Sequence, residues 1–196
     1  MPAIYDSFAR YYDAAFRPLE KLLLADLRRE TLSMLPVDAD ILEIGAGTGA
    51  NFKYYPDFRH AVAGELSIEM LLFARTKTET IRLVQADAQF LPFDTDRFDA
   101  AFATLVFCSI PDPALAFAEL IRVVRPGGRV IVLEHVRPSG LLGFVFDALN
   151  VLTMWLAHDH FNRRTSEIAA RSGLQIIGVR QKLLGIVNLI ECRVEK

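Results

Sequence analysis

The chain has 196 residues, of which 52% are apolar and 23% are charged, and its formal net charge is −2. This length and composition are typical of one folded domain and exclude a disordered chain. The mixing of both charge signs along the whole length excludes the basic face of a nucleic-acid-binding protein. The N-terminus lacks the apolar core of a signal peptide, and the two cysteines lack metal-ligand spacing. We therefore predict a single cytoplasmic domain over residues 1–196.

Short β-rich runs alternate with helical patterns, which is typical of a largely parallel sheet covered by helices. Seven strands are predicted, at 40–44, 60–66, 82–86, 98–106, 129–136, 174–180 and 186–194. Helices are predicted at 19–35, 67–75, 113–124 and 162–171. Only residues 181–185 separate the last two strands, so no crossover helix fits and these strands should form an antiparallel hairpin.

The first predicted strand leads straight into the glycine loop Gly45-Ala46-Gly47-Thr48-Gly49. Glycines here permit a tight strand-to-helix turn and let a ligand approach the backbone closely. Glu65 lies 20 residues beyond Gly45, at the end of the second strand. A carboxylate in that place can accept hydrogen bonds from ribose hydroxyls. By itself this pattern indicates a ligand that contains adenosine, and NAD satisfies it too.

Two further carboxylates favour a cationic adenosine ligand. Glu43 precedes the glycine loop, and Asp87 follows the third strand. Glu43 would repel the pyrophosphate of NAD, whereas it would attract the ammonium and sulfonium groups of S-adenosylmethionine. Asp87 can accept from the exocyclic amine of adenine, and Ala88 leaves room for the ring. The alternatives are that Glu43 is a solvated charge and that Asp87 caps a turn.

Residues 40–136 resemble the class I S-adenosylmethionine-dependent methyltransferases, particularly their type 11 domain group. The matching motifs are Glu43-Ile44-Gly45-Ala46-Gly47-Thr48-Gly49, Gly64-Glu65-Leu66-Ser67-Ile68-Glu69-Met70-Leu71, Asp87-Ala88, Leu91-Pro92-Phe93 and Val124-Arg125-Pro126-Gly127-Gly128. The resemblance implies an α/β, Rossmann-like sheet of seven strands in the order 3-2-1-4-5-7-6, with strand 7 antiparallel and helices on both faces. It also implies S-adenosylmethionine as cofactor, S-adenosylhomocysteine as product and no metal.

The resemblance also assigns cofactor contacts to residues of this chain. Glu43 and the loop glycines would surround the methionine portion, Glu65 would hold the ribose, and Leu66 would pack on adenine. Thr104, near the end of strand four, would also reach the cofactor. The cofactor contacts expected in this way are Tyr12, Glu43, Gly45, Ala46, Gly47, Gly49, Glu65, Leu66, Asp87, Ala88 and Thr104.

The N-terminal pattern Tyr5-Asp6-x-Phe8-Ala9-x-x-Tyr12-Asp13 resembles the opening of quinone-biosynthesis methyltransferases. In that group this segment folds over the cofactor, so residues 1–35 are expected to form a helical cover with Tyr12 as a contact. Packing alone is an equal alternative, because aromatic residues at helical spacing commonly dock a helix.

The motif Leu133-Glu134-His135-Val136, followed later by His160-Phe161-Asn162-Arg163-Arg164-Thr165, resembles thiol and phospholipid methyltransferases. His135 ends strand five, where ligands bind in such sheets, and is a candidate general base; a structural histidine is the alternative. His160 and Arg163 are candidate substrate contacts, although a solvated helix start explains Arg163 more simply. His158 and His160 lack a third metal ligand, so no metal site is predicted.

Residues 141–157 give the best indication of the methyl acceptor. On a helix, their polar residues form one narrow stripe, and nearly everything else is apolar. We expect residues 137–165 to be a helical insertion that helps to form a pocket for a lipophilic or amphiphilic acceptor: a phospholipid amine, a thiol or a quinone precursor. Peripheral membrane contact through 141–157, or burial in the core or a dimer interface, are the alternatives.

The predicted function is therefore methyl transfer from S-adenosylmethionine to a small, lipophilic acceptor. An NAD-dependent oxidoreductase is the rival enzyme, but it leaves Glu43 and Asp87 unexplained and the chain has no Tyr-x-x-x-Lys pair. A non-catalytic S-adenosylmethionine-binding protein is the third interpretation, because no catalytic base follows with certainty from the sequence.

Overall fold

The computed structural model of the chain describes residue 18, residues 20–136 and residues 163–196. These residues form one seven-stranded sheet in the order β3-β2-β1-β4-β5-β7-β6. The strands are β1 Ala39–Ile44, β2 Phe58–Glu65, β3 Arg82–Gln85, β4 Phe98–Thr104, β5 Val124–His135, β6 Leu174–Lys182 and β7 Val187–Val194. Strands β1 to β5 are parallel, and β7 runs antiparallel to both of its neighbours. The predicted strand order and C-terminal hairpin are confirmed.

Strands β4 and β5 differ most from their predicted bounds. β4 ends at Thr104 because Leu105 adopts a left-handed backbone with φ of 58°, which breaks the extended chain. β5 begins at Val124, five residues earlier than predicted, and contains Pro126 and two glycines. An irregularity in the pairing of β4 with β5 accommodates these residues, because β5 advances five positions while β4 advances two.

Two of the four helices in the described part of the chain start at a side-chain cap. The four helices are α1 Ala25–Ser33, preceded by a π-helical turn Glu20–Leu24, α2 Ile68–Arg75, α3 Pro113–Val123 and α4 Thr165–Arg171. The Ser67 side chain accepts from the Met70 amide at the start of α2, and Asp112 caps α3 in the same way. α4 begins three residues later than predicted, at Thr165, with no side-chain cap.

The core lies in two layers, one on each face of the sheet. Leu42 of β1 faces the layer that contains Phe117 of α3. Ile41, its neighbour in β1, faces the other layer, which contains Leu27 of α1. Side chains alternate between the two faces of a strand, so a parallel strand covered on both sides is mostly apolar. The predicted arrangement of helices on both faces is confirmed.

Charged residues close the amino ends of the parallel strands. Asp40 accepts hydrogen bonds from Arg97, His60 and Arg125, and the carboxylate of Asp99 accepts from the Asp40 amide at 2.8 Å and from Arg125. Burial acts to raise the pKa of Asp40, but the hydrogen bonds from His60 and Arg97 outweigh it and hold the pKa below its usual value. This edge of the sheet is an ion-pair cluster.

Several predictions concern residues that the structure does not describe. Tyr12, His160 and the segment 141–157 lie outside the described residues, as do most of the insertion 137–165 and residues 1–17 of the N-terminal segment. Within the described part of the chain, no helix is both long enough and apolar enough to cross a membrane.

Candidate active site

The glycine loop joins β1 to the next segment through three left-handed residues. Gly45, Gly47 and Gly49 have φ values of 66°, 54° and 79°, which L side chains rarely adopt. A Cβ on Gly45 would overlap the methyl groups of Val106, and one on Gly49 would overlap the ring of Phe52. A Cβ on Gly47 would meet nothing within 4 Å. The loop is therefore packed at both ends and open at its centre.

Glu65 lies beside this open centre. Its carboxylate accepts from the Gly47 amide at 2.8 Å and from the Ser67 amide at 2.9 Å. The side chain thus reaches from the end of β2 to the middle glycine of the loop, and Ala46 is also tied to β2 through the Gly64 carbonyl at 3.1 Å. The structure thus places Glu65 against the glycine loop, as the spacing of 20 residues between Gly45 and Glu65 predicts.

Glu43 lies beneath the loop and has no exposed surface. Its two oxygens accept from the Asn51 amide group and the Tyr55 hydroxyl. Burial raises the pKa of Glu43 to about 7, although these two hydrogen bonds oppose the shift. The interpretation of Glu43 as a solvated surface charge is therefore wrong.

A buried polar network connects Glu43 to helix α1. Arg28 donates to the Asn51 side chain at 2.8 Å and to the Thr104 hydroxyl at 2.7 Å, and it forms an ion pair with Glu20 at 3.0 Å. Asn51 also donates to Thr104 at 2.8 Å. Thr104, expected at the cofactor, is thus held by α1 and by the segment after the loop. Sequence analysis missed Arg28 and Asn51, although two adjacent arginines among the leucines of residues 19–35 are a signal for the first.

The remaining predicted adenine contacts lie at the ends of β2 and β3. Leu66 is half exposed, and its carbonyl accepts from the Gln85 side chain at 3.0 Å. Asp87 accepts from the Gln89 amide at 2.9 Å, which is the turn-capping role considered as its alternative. Ala88 packs against the core. Contact of these three residues with adenine stays a prediction.

Glu134 is a functional candidate that sequence analysis missed. It is wholly buried in β5, and its carboxylate accepts from the amides of Val106 at 3.1 Å, Phe107 at 2.7 Å and His135 at 3.1 Å. Burial raises the pKa of Glu134 to about 7, while these amides and that of Cys108 act to lower it. The available signal was an acid at the end of an otherwise apolar strand.

His135 sits at the carboxyl end of β5, as predicted, with its side chain 15% exposed. Burial lowers its pKa to about 4, so the imidazole is neutral at pH 7. Such a histidine is a weak base near neutral pH, which favours hydrogen bonding over proton abstraction. A catalytic role for His135 stays a prediction.

Cys108, Glu134 and His135 bring a thiol, a carboxylate and an imidazole within 4.8 Å of one another. Such a set resembles a zinc site in its donor atoms. The Glu134 oxygens, however, already accept backbone amides, and a cation there would face those N–H dipoles. Because backbone amides already occupy the Glu134 oxygens, this cluster does not fit a metal ion.

Arg163 binds the loop that follows β4. Its guanidinium donates to the Phe107 carbonyl at 2.6 Å and to the Ile110 carbonyl, and it lies before the first residue of α4. The interpretation as a solvated helix start is therefore wrong. These two hydrogen bonds are made with the backbone and do not test a contact with substrate. Contact of Arg163 with substrate therefore stays a prediction.

Comparison with known proteins identifies the family of this fold and loop. The methyltransferase domain family matches residues 42–132. A phosphatidylethanolamine N-methyltransferase from Cereibacter sphaeroides is 33% identical over 159 residues, which cover 76% of each chain. The chain belongs to the S-adenosylmethionine-dependent methyltransferases. Its cofactor is S-adenosylmethionine, and the resemblance seen in the sequence is confirmed.

Other methyltransferases extend the comparison. A demethylmenaquinone methyltransferase from Renibacterium salmoninarum is 31% identical over 70% of this chain, which spans 59% of that protein's length. The methyltransferase solved in a complex with the Haloferax volcanii Trm112 activator has a TM-score of 0.78 at 16% identity, with 100% of both chains covered. At that identity the likeness shows the shared fold. Nothing in these comparisons supports an NAD-dependent oxidoreductase.

Proposed function

We propose that this methyltransferase acts on a lipophilic or amphiphilic small molecule, with the amino group of a phospholipid as the first candidate. The observation that carries the proposal is the 33% identity to a phosphatidylethanolamine N-methyltransferase across three-quarters of both chains. The apolar character of residues 141–157 supports it, because a lipid acceptor needs an apolar binding surface.

The anchoring of the chain on either side of residues 137–162 supports a role for that segment at the acceptor site. The Val136 amide donates to the Ile186 carbonyl at 2.8 Å, beside the carboxyl end of β5. The chain returns at Arg163, which binds the Phe107 carbonyl just after β4. The segment therefore begins and ends at the sheet edge where ligands bind in parallel α/β folds.

For the cofactor, we propose that the open centre of the glycine loop and Glu65 form its main contacts. Space above Gly47 lets a ligand approach the backbone, and the Glu65 carboxylate beside it can accept from ribose hydroxyls. The buried acid Glu43 lies under the same loop, where its negative charge, when ionised, favours the cationic methionine portion. Thr104 and Leu66 flank these groups at the ends of β4 and β2.

When bound, S-adenosylmethionine would supply the methyl group: the lone pair of a neutral amine would attack the methyl carbon in line with the carbon–sulfur bond, and S-adenosylhomocysteine would leave as that bond breaks. The residues of this chain align the two reactants, and alignment supplies much of the acceleration in such a displacement. The neutral His135 adds no positive charge that would repel the amine product. Because burial lowers the pKa of His135 to about 4, this histidine is poorly suited to remove a proton from the amine before the amine attacks.

A quinone precursor is the second candidate acceptor. The observation that favours it is the 31% identity over 70% of the chain to a demethylmenaquinone methyltransferase. Such a precursor is also lipophilic, so the apolar residues 141–157 would serve it equally.

The test uses purified protein and methyl-labelled S-adenosylmethionine. Vesicles of phosphatidylethanolamine are the test acceptor, and vesicles of phosphatidylcholine are the matched control, since its quaternary nitrogen cannot accept a methyl group. Detergent-dispersed demethylmenaquinone forms a separate arm. We expect label in phosphatidylethanolamine, none in phosphatidylcholine, and loss of transfer in Glu65→Ala.

Label in demethylmenaquinone alone would refute the phospholipid and establish the second candidate. Label in neither acceptor, by a protein that binds S-adenosylhomocysteine in calorimetry, would refute both acceptors while leaving the cofactor assignment intact.

A further inference from the structure

The segment after β4, residues 105–110, runs along the carboxyl edge of the sheet between the glycine loop and the end of β5. It starts at Leu105, whose left-handed backbone turns the chain out of the strand and whose amide donates to the Leu133 carbonyl at 2.7 Å. Two side chains from distant parts of the sequence then hold it. Arg163 binds its carbonyls, and Glu134 binds its amides.

The contact with Glu134 is the unusual one. The amides of three successive residues, Val106, Phe107 and Cys108, point at a single carboxylate with no exposed surface. A buried acid is unfavourable unless hydrogen bonds satisfy its oxygens. A leucine would leave these amides without an acceptor and a glutamine would offer one oxygen in place of two, so the carboxylate is matched to the segment that it holds.

The same segment also contacts the cofactor loop. The methyl groups of Val106 occupy the place where a Cβ of Gly45 would lie, so Val106 packs directly on the first loop glycine. Glu134 holds the Val106 amide, and Val106 in turn closes the end of the glycine loop. One buried carboxylate thus fixes the distance between the loop that binds the cofactor and the end of β5, where the chain leaves towards residues 137–162.

We propose that Glu134 is a positioning residue for methyl transfer, which holds residues 106–108 so that cofactor and acceptor meet at the reacting distance. The residue acts through the backbone and needs no contact with either reactant. This inference rests on the methyl transfer proposed above. Its test compares the kcat of each variant with the kcat of the wild type, with whichever acceptor the wild type methylates.

The test compares Glu134→Gln with Asp99→Asn. Both substitutions turn a backbone-binding carboxylate into an amide of the same size, but Asp99 accepts the Asp40 amide at the opposite, amino edge of the sheet. Activity is measured where circular dichroism shows each protein fully folded. We expect the kcat of Glu134→Gln to fall by about 10- to 100-fold, because small misplacements of aligned reactants have effects of that size.

The cofactor affinity should respond much less. The Ala46 amide still binds the Gly64 carbonyl, and Glu65 still binds Gly47, so the loop keeps its own contacts. We expect the Kd for S-adenosylhomocysteine to change less than about threefold in Glu134→Gln, and the kcat of Asp99→Asn to stay within about twofold of the wild type. A Glu134→Gln protein as active per folded molecule as the wild type, or an equal loss in both variants, would overturn the proposal.

A second variant keeps the proposal testable if Glu134→Gln does not fold. Val106→Ala removes the two methyl groups that pack on Gly45. The kcat of this variant should fall by about 3- to 10-fold, with the fold unchanged. Unchanged kcat in Val106→Ala would contradict the proposal. Where both single variants fold, the double variant should lose less than the product of the two losses, because both act on one segment; multiplicative losses would place the two residues in separate roles and refute it.

Discussion

Glu65 and Glu134 both accept backbone amides at the carboxyl ends of strands, yet their surroundings give them different tasks. Glu65 is partly exposed beside the open space at Gly47, whereas Glu134 is sealed within β5. A carboxylate next to open space can exchange a protein donor for a ligand hydroxyl. A sealed one can only fix the chain that donates to it.

Replacing Glu65 with alanine should weaken cofactor binding. The change removes a charged acceptor from Gly47 and from the proposed ribose hydroxyls, and hydrogen bonds to charged groups contribute about 1.5–3 kcal/mol each. The Kd for S-adenosylhomocysteine, measured by calorimetry, should rise by about 10-fold or more. Glu69→Ala, an exposed acid in the first turn of α2, is the matched control. Equal affinity of Glu65→Ala and the wild type would rule out the ribose contact.

The residues that sequence analysis found and those that it missed differ in how their contacts arise. Gly45, Gly47 and Glu65 stand at fixed distances in a local strand–loop–strand pattern, so their proximity is readable from the sequence. Arg28 meets Thr104 across 76 positions, and Glu134 meets Phe107 across 27. Such contacts depend on which strands become neighbours and which side chain turns inward, and a single sequence carries no local sign of either.

Among the elements, helix α1 is tied to the sheet by charge as well as by apolar packing. Leu27 and Leu32 bury against the sheet, and Arg28 beside them enters the polar network under the glycine loop. The helix therefore supports the loop and the end of β4 at once. Residues that precede α1 in the chain are joined to this network through Glu20.

Arg28→Lys should destabilise the protein. Lysine has one nitrogen and cannot reproduce contacts with Asn51, Thr104 and Glu20 from a planar guanidinium, so a buried network loses partners. We expect a loss of about 3 kcal/mol in the free energy of unfolding, as for other broken buried ion pairs. Arg29→Lys, at the next position, changes an exposed pair with Asp26 and should shift stability by less than about 0.5 kcal/mol in urea titrations. Equal effects of the two substitutions would contradict a structural role for the network.

The bounds of β4 and β5 show where element prediction fails. Alternation of apolar residues predicts a strand to Val106, but the amides after Leu105 bind Glu134 and not a neighbouring strand. The Pro-Gly-Gly sequence predicts a stop, yet an irregular register lets β5 run through it. In both places a tertiary contact overrides the local pattern. The bounds of the other five strands lie within two residues of prediction.

At the scale of the whole molecule, the pKa values of carboxylates shift in opposite directions at the two edges of the sheet. At the amino edge, arginines and His60 hold the pKa of Asp40 below its usual value, although burial opposes the shift. At the carboxyl edge, burial raises the pKa of Glu43 to about 7. The first arrangement favours the ionised acid and the second favours the protonated one, so the two edges respond oppositely to pH.

This opposition predicts the pH dependence of stability in the cofactor-free protein. The folded pKa of Glu43 lies above its unfolded value of 4.5, so its contribution is complete below about pH 4.5 and is lost as pH rises through 7. Between those values the wild type should lose about 3 kcal/mol of unfolding free energy relative to Glu43→Gln. Urea denaturation of both proteins from pH 4.5 to 7.5 measures this difference.

Asp40→Asn provides the comparison of opposite sign. The folded pKa of Asp40 is lowered, so its contribution is present above the unfolded value of 3.8 and is lost as pH falls further. The loss of unfolding free energy in Asp40→Asn, relative to the wild type, should therefore be constant from pH 6 to 8 and become smaller in acid. Parallel stability curves for the wild type and Glu43→Gln over the same range would show that Glu43 does not titrate near pH 7.

A largely parallel sheet covered by helices was predictable because β-rich runs alternate with helical patterns along the chain, whereas the order of the strands came from the resemblance to the family. The family adds the position of the reversed strand β7. The acceptor was less predictable, since apolar residues in 141–157 suit a lipid, a quinone precursor or a protein neighbour alike. Chemistry that depends on the shape of one pocket is not encoded in periodicity.

The tethering of residues 137–162 at Val136 and Arg163 has a consequence for how such enzymes diversify. The Val136 amide binds the Ile186 carbonyl, and Arg163 binds the segment after β4. With the acceptor role proposed above for residues 137–162, substitutions between these two points would change which molecule is recognised, while Gly45, Gly47 and Glu65, which lie elsewhere in the chain, stay unchanged.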